Sequence, residues 1–500
     1  MEMEERYLYG ASIQGIQEYI FRTNKLSDVV GKSEVVNRVC TTAFYEMLGD
    51  GDDEKGLRLA TPIVMAAGNV KCILNKELCE KAVRQFPKKV QDMAPGITFS
   101  QSVVKMEGDF AEYDKAGQEL ENRLRAQRNR PIKSVTMGLI GIERDRRTGL
   151  PAKVEAERSS NAQSSLNLYK KLFDKTVKYG EVALNIGNMT DKNSWIAIIH
   201  ADGNGLGEVV MEVSKDSDKL REFSNKLDEA TIAAAKTACN AIFGSDYKAI
   251  RPVVLGGDDL TVICRASKAI DFVQKYIEEF EKETEARLQG LLPKGMARLT
   301  ACAGITFIKS SYPFYYGYNL AEELCGEAKK DAKSKEIQGK ERVAPSCLMF
   351  HKVQSSFVES YGEIIRKELT PCPAENKGDK EYSWVFGPYY LKQLGAGTAD
   401  QSARWTIDKL LEEVDTLSRE ENNMAKSDIR EWMTLMTSPE IAEQKAKRVE
   451  NIGTEINKKL FEAATKVSRR EGDKLASPAY DILTLLTMTT QDTKSNNIKE

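Results

Sequence analysis

Apolar residues fall in two rhythms along this chain. Short runs rich in β-branched residues read as strands, and longer stretches with apolar positions every three or four residues read as helices. Arg6–Gly10 is a short strand, and Ile13–Phe21 and Val29–Leu48 carry helical spacing. A hairpin follows around residues 62–73, then a helix over Lys76–Val90, a strand over Gly96–Lys105 and a helix over Glu112–Arg128. This order predicts a palm, a ferredoxin-like antiparallel sheet with helices on one face.

A similar order returns further on. Trp195–Ala201 reads as a buried strand, Arg251–Cys264 as a hairpin and Lys268–Leu288 as a helix; Arg298–Ile308 is a strand and Pro313–Lys333 a helix. Between the two copies, residues 143–180 are polar, with Arg144–Pro151 typical of them, and read as a connector. Beyond about residue 351 the pattern turns helical, with Trp384, Phe386 and Trp405, and Gln491–Glu500 reads as a frayed tail. The expected fold is therefore α+β: a first palm over 1–142, a connector over 143–180, a second palm over 181–350 and a helical C-terminal domain over 351–500.

The two palms align at one offset. Shifted by 190 residues, Pro252–Ile263 lies over Pro62–Ile73, Asp202 over Ser12, Gly205 over Gly15 and Leu206 over Ile16. The apolar pattern survives while the acids do not: Ser12 replaces Asp202, Gly68 replaces Asp258 and Asn69 replaces Asp259. A shared offset at two separate motifs marks an internal repeat, whose second copy is able to bind metal and whose first is silent.

The chemistry gathers at two places in the second copy. Gly256-Gly257-Asp258-Asp259 sits between an apolar run and a β-branched run, at the turn of a hairpin. Glycines let the chain bend tightly and approach a ligand. Adjacent carboxylates at a hairpin tip repel one another unless a hard cation joins them, and Mg²⁺ takes one or two carboxylates plus substrate phosphates. On its own the tetrapeptide is as well explained as an ordinary turn. Asp202 ends a buried strand and opens the loop Gly203-Asn204-Gly205-Leu206-Gly207 into a helix. Alone it reads as a helix N-cap; beside backbone N–H groups it also suits a phosphate site. Two such strands side by side, one bearing Asp202 and the other Asp258, would form a two-metal phosphoryl-transfer site.

Composition narrows the class. Apolar content of 41% and charged content of 30% fit a water-soluble globular protein, expected in the cytoplasm, and no run is long enough to span a membrane. A net charge of −2 gives no global attraction to nucleic acid. Nine scattered cysteines without a CxxC pair predict neither a zinc ribbon nor a disulfide framework. With only His200 and His351, histidine-rich metal centres are disfavoured. The basic run Arg123, Arg125, Arg128, Arg130 and Lys133 reads as a solvated helix face rather than a phosphate contact. Lys329 and Lys330 end the last helix of the second palm, where they suit the helix macrodipole or reach phosphates.

Taken together, Ser12–Leu26, Gly31-Lys32-Ser33, Asp202–Gly207 and Gly256–Asp259 resemble the large polymerase/cyclase subunit of type III CRISPR effector complexes, with GGDEF diguanylate cyclases as more distant relatives. The resemblance spans both palms. It implies a nucleotidyltransferase that makes cyclic oligoadenylate messengers from ATP with Mg²⁺ or Mn²⁺ in antiviral defence, releasing pyrophosphate. By position, Asp202, Asp258 and Asp259 are its catalytic residues, and these three with the Gly203 carbonyl hold metal. Asn204, Gly205, Leu206, Gly207, Gly256, Gly257, Lys329 and Lys330 meet the nucleotide, and Gly15 and Ser33 line an acceptor site in the silent palm. The family often has an N-terminal His-Asp nuclease domain and a cysteine-rich zinc element between the palms. This chain starts at the first palm and has no cysteine between Cys79 and Cys239, which implies a stand-alone or reduced relative. Guide-RNA effector subunits are the implied protein partners. The competing reading is a nucleotide-binding scaffold, or a structural subunit of such a complex, without turnover.

Overall fold

Gly15 stops the first strand and turns the chain into a helix. Its φ of 64° lies in the left-handed region that glycine adopts without strain. Strand β1 (Arg6–Gln14) therefore runs past the residues whose spacing predicts a helix from Ile13, and the helix is confined to Ile16–Ile20. The Ile13 N–H is held by the Gly68 carbonyl at 2.7 Å, which keeps this residue extended.

The computed structural model describes residues 5–21, 26–66, 68–106, 113–130, 141, 168–173, 177–178, 181–183, 186–190, 194–339, 341–355, 360–372, 381–395, 403–469 and 474–489. Lys133, Arg144–Pro151, most of the expected connector and the expected frayed tail lie outside them. The chain divides into two units that interleave in sequence. Unit 1 is Met1–Asn188, Gly205–Val262 and Glu279–Leu299; unit 2 is Met189–Asn204, Ile263–Glu278 and Thr300–Glu500.

Unit 1 contains an antiparallel sheet of β1, β2 (Thr61–Ala66), β3 (Asn69–Asn75) and β4 (Thr98–Met106), in the order β2-β3-β1-β4. That is the ferredoxin-like order. Residues Leu8–Ile13 are buried on both faces of the sheet. Tyr9 stacks on Phe44 at 5.5 Å, whereas a Cβ on Gly10, its neighbour, would meet Leu120 at 2.7 Å. Helices therefore cover both faces, not one: Lys76–Met93 with Phe44–Leu48 on the first, and Tyr113–Arg128 on the other. The predicted Arg123 face is exposed on the latter helix, and its guanidinium bonds Glu119 and the Val103 carbonyl.

The repeat is visible strand by strand. β5 (Trp195–Asn204), β6 (Ile250–Gly256), β7 (Asp259–Arg265) and β8 (Thr300–Lys309) follow the order β8-β5-β7-β6, the order of β4-β1-β3-β2. β9 (Cys347–Lys352) lies parallel to β8 and extends the sheet, and β11 (Tyr389–Tyr390), counted after β10 (Glu381–Ser383), closes it. The division between units falls within β7, so unit 1 holds β6 and the head of β7 while unit 2 holds the tail of β7 with the remaining strands.

Within unit 1 the copies meet reciprocally. The helix Leu26–Arg38 of the first copy packs on β6, and the helix Ser217–Phe243 of the second packs on β2. β6 and β2 are equivalent under the repeat, so this contact is self-complementary, as across a twofold axis.

In unit 2 the helix Phe314–Ala332 lies flush on β8 and β5. Flush contact requires Gly304, where a Cβ would stand 1.9 Å from the Ala321 carbonyl oxygen. The C-terminal region is mainly helical, with Ile407–Ser418, Asn423–Leu435, Pro439–Ile452, Glu455–Thr465 and Ala479–Thr489 packed together. It is not purely so, because β10, β12 (Ser468–Arg469) and β13 (Lys474–Ala476) form a small sheet. Trp384 packs edge-on to Trp432 and Phe386 to Trp405, so the predicted aromatics serve the core.

Candidate functional site

Asp202 lies near the end of β5, on the face covered by the helix Phe314–Ala332. Alternate residues of a strand share a face, and His200, two before it, meets Tyr318 of that helix edge-on. His200 and Asp202 offer ligand atoms within 4.8 Å of each other. Burial holds the His200 imidazole down to about 4, against the pull of Asp202, with Lys329 lowering it further. The ring is neutral at physiological pH and can accept a hydrogen bond or a cation.

The last turn of the helix brings Lys329 to the same point. Its ammonium donates to the Gly203 carbonyl at 2.9 Å and is ion-paired with the Asp202 carboxylate. Burial opposes the charge on Lys329, but Asp202 outweighs it and the pKa is raised. Glu322, two turns earlier, is raised by burial and then by Asp202, which marks it as a second carboxylate in the same field. Lys330 turns to solvent and pairs with Glu327 at 3.6 Å. Two hard oxygens of adjacent residues thus converge on one cation, here an ammonium. Carboxylate and carbonyl oxygens are the donors Mg²⁺ and Mn²⁺ prefer, so the residues present fit such an ion.

The loop after Asp202 is shaped by Gly205, with φ of 85°, which caps the helix Leu206–Val213 without a side-chain bond. A Cβ at Gly207 would meet open space. Asn204 follows on the same face but is turned into the fold: it is 1% exposed, and its amide donates to Thr300 and approaches the Cys302 sulfur, both at 3.2 Å. Its side chain is a core tie, and its expected nucleotide contact has no open side chain to make it.

Gly256, Gly257, Asp258 and Asp259 form the half-buried tip of the hairpin in unit 1. Gly257 takes a φ of 62°. The helix Ser217–Phe243 grips it twice: the Gly257 N–H donates to the Asp228 carboxylate at 3.1 Å, and the Thr231 hydroxyl donates to the Gly257 carbonyl at 2.5 Å. Gly256 has little room, since a Cβ there would stand 3.1 Å from Asp228. Asp228, Thr231 and Glu322 were not legible in the sequence. Each acts across a fold contact with no periodic or motif signature.

In the silent copy the equivalent tip carries Gly68, with φ of 83°, and Asn69. Ser12 is buried between Asn69 and Ser100 in the sheet register. Gly15 has open surroundings, with only the Glu18 carboxylate at 3.9 Å from a built Cβ. Ser33, expected to line an acceptor pocket, is instead buried with its hydroxyl committed to the Val253 carbonyl of β6. It ties the helix Leu26–Arg38 to that strand.

Residues 195–343 match the sequence-family model described as Cas10/Cmr2, second palm domain. This stretch carries both carboxylate motifs and is similar to a Cas10 second palm. No curated protein matches the chain. Among solved structures, the chain is similar in fold to the Csm1–Csm4 cassette in complex with cA4, with a TM-score of 0.58 and 11% identity over 97% of this chain and 70% of the other. The same cassette in complex with pppApA gives 0.55 and 11% over 98% and 70%. The Csm1–Csm4 subcomplex in the type III-A CRISPR-Csm interference complex gives 0.56 and 11% over 97% and 70%. At that identity the likeness is one of fold. Among the described residues, no helix is long and apolar enough to cross a membrane.

Proposed function

We propose that this chain is a divalent-metal-dependent nucleotidyltransferase that joins ATP into cyclic oligoadenylates within a type III CRISPR defence system. The observation that carries the reading is the pair of acidic motifs in the stretch matching a Cas10/Cmr2 second palm: Asp202 near the end of β5, and Asp258 and Asp259 at the head of β7. The silent copy keeps the strand order and lacks all three acids, so the acids are not needed for the fold.

In this reading the Asp202 and Asp258 carboxylates and the Gly203 carbonyl hold Mg²⁺ or Mn²⁺, and Asp259 completes or orients the set. Held there, such an ion would supply Lewis acidity toward the α-phosphoryl group and the attacking 3′-hydroxyl. The chain's own groups do the positioning. Gly205 and Gly207 keep the loop clear for the phosphates, Leu206 starts the helix, and Lys329 supplies positive charge to the triphosphate. Asp228 and Thr231 hold the Gly257 turn, which fixes the tip carboxylates. Gly256 and Gly257 present bare backbone to the nucleotide. The first palm, about residues 1–142, receives the acceptor nucleotide near Gly15. The relatives of similar fold were solved with Csm4, and a protein partner of that kind is proposed here.

The test is incubation of the full chain with each of the four NTPs and Mg²⁺ or Mn²⁺, with products read by mass spectrometry. Cyclic or linear adenylates with pyrophosphate are expected from ATP. Tight nucleotide binding without any product, alone and with co-expressed partners, would favour the scaffold.

A further inference from the structure

The Lys329 ammonium sits where a metal ion would bind. It is bonded to the Gly203 carbonyl at 2.9 Å and paired with Asp202, the two oxygen donors that converge in unit 2. We infer that Lys329 is a resident cation of this site, which a divalent ion must displace, and which on leaving is delivered to the phosphates of the incoming nucleotide. The inference rests on the reading of Asp202 and Gly203 as metal ligands.

The placement is built rather than incidental. The helix Phe314–Ala332 seats against β8 with no clearance at Gly304, and a Cβ at Gly317 would press on Ile198 and Ile308 at 2.8 and 3.0 Å. The helix is thus locked in height over β5, and Lys329 has one target. Its side chain is 17% exposed, whereas Lys330, one residue on, is 71% exposed and serves only Glu327. The macrodipole would favour either lysine, so it does not explain why one is buried against two oxygens.

Exchange follows from electrostatics. Two cations cannot share one carboxylate–carbonyl pair in a half-buried site without strong repulsion. A divalent ion entering alone must break the Lys329 contacts and leave its ammonium near a second positive charge. An ion entering with a triphosphate gives that ammonium a new anionic partner. Metal and nucleotide therefore bind cooperatively, and by linkage each strengthens the other by the same factor. A basic residue that only contacted phosphate would not produce this coupling through the metal ligands.

The test uses Mn²⁺ titration of the full chain, followed by electron paramagnetic resonance, with and without an α,β-methylene ATP analogue. In Lys329→Met, Mn²⁺ binding without nucleotide should tighten by about tenfold, the scale of one charge-assisted contact, and the gain conferred by the analogue should shrink in proportion. Independently of any variant, Mn²⁺ should speed labelling of Lys329 by an amine-reactive reagent in the wild type, and the analogue should then slow it. If Mn²⁺ binds the wild type and Lys329→Met equally and leaves labelling unchanged, the exchange is wrong. The metal reading is judged separately by Asp202→Asn: weakened Mn²⁺ binding upholds it, and unchanged binding removes it together with the exchange.

Discussion

Asp228 holds Gly257 from 29 residues away in sequence, its carboxylate accepting the glycine N–H at 3.1 Å. With the Thr231 hydroxyl on the carbonyl of the same residue, both backbone polar groups of one turn residue are bound by one helix. A left-handed glycine adopts many conformations when released, so these two bonds select one of them.

Asp228→Ala should therefore misplace Asp258 and Asp259 without removing them. A shift of about 1 Å in reacting groups costs on the order of a hundredfold in rate. Product formation should fall by about that factor while the thermal midpoint changes little. Asp228→Asn, which retains an acceptor oxygen, should recover part of the rate. Unaltered turnover in Asp228→Ala would show that the tip is held by other contacts.

Asp258→Ala with Asp259→Ala should abolish product and leave the circular dichroism spectrum and thermal midpoint near wild type, since neither side chain is core. Asn69→Ala, at the place of Asp259 in the silent copy, should leave metal binding as it is. A large loss of Mn²⁺ affinity in Asn69→Ala would mean that the active palm has been misassigned.

Gly304→Ala places a methyl group 1.9 Å from the Ala321 carbonyl oxygen and 2.5 Å from the Cys325 nitrogen. Both neighbours are helix backbone and cannot rotate away. The helix must lift from β8, at a cost of about 1–3 kcal/mol or more for overpacking. Urea denaturation should show that loss, and Lys329 should become more reactive to amine reagents as it leaves Gly203. An unchanged midpoint would contradict the flush packing.

His351 gives the pH dependence. Burial alone holds it down to about 4, against about 6.5 in the unfolded chain, and its ring stacks on Tyr480 at 6.1 Å. Glu368 lies 3.9 Å away and would favour the charged ring, but burial prevails. The unfolded chain binds the proton first, so stability is lost as pH falls from about 6.5 towards 4, by at most about 1.4 kcal/mol per unit. His351→Phe should flatten this loss in urea midpoints measured between pH 7 and 4.5. It should not remove it, because burial also holds His200 at about 4. An identical pH slope in the variant would show that His351 does not carry the proton linkage.

The repeat was legible where backbone geometry fixes sequence. Gly15 and Gly205 both cap helices in the left-handed region, and β2/β6 and β3/β7 keep the 190-residue offset because a two-residue turn allows no slack. β4 and β8 lose the offset because the segments before them differ in length. Asp202 and the hairpin acids were readable as exceptions to the apolar pattern. Asp228, Thr231 and Glu322 were not, since their contacts exist only once helix and strand are packed. Ser33 and Asn204 show the converse: a polar side chain beside a motif gives no sign in the sequence that its hydrogen bonds are made inside the fold.

The role of the silent palm is the remaining question of function, and Gly15 tests it. Joining two nucleotides needs a donor and an acceptor position, and one set of carboxylates positions a single donor. In unit 1 the copies pack reciprocally through Leu26–Arg38 on β6 and Ser217–Phe243 on β2, so the first copy retains the element that pairs it with the second. Its Gly15 keeps the cap conformation of Gly205 with space around it, although Ser12 stands there in place of Asp202. Titration of the wild type with the α,β-methylene analogue and Mn²⁺ should find two nucleotides per chain. Gly15→Asn, which tolerates the left-handed region, should fold normally and retain both sites. Gly15→Trp should lose the metal-independent site and most turnover, and keep metal-dependent binding of one nucleotide. A single site in the wild type together with normal turnover in Gly15→Trp would reduce the first palm to a packing partner.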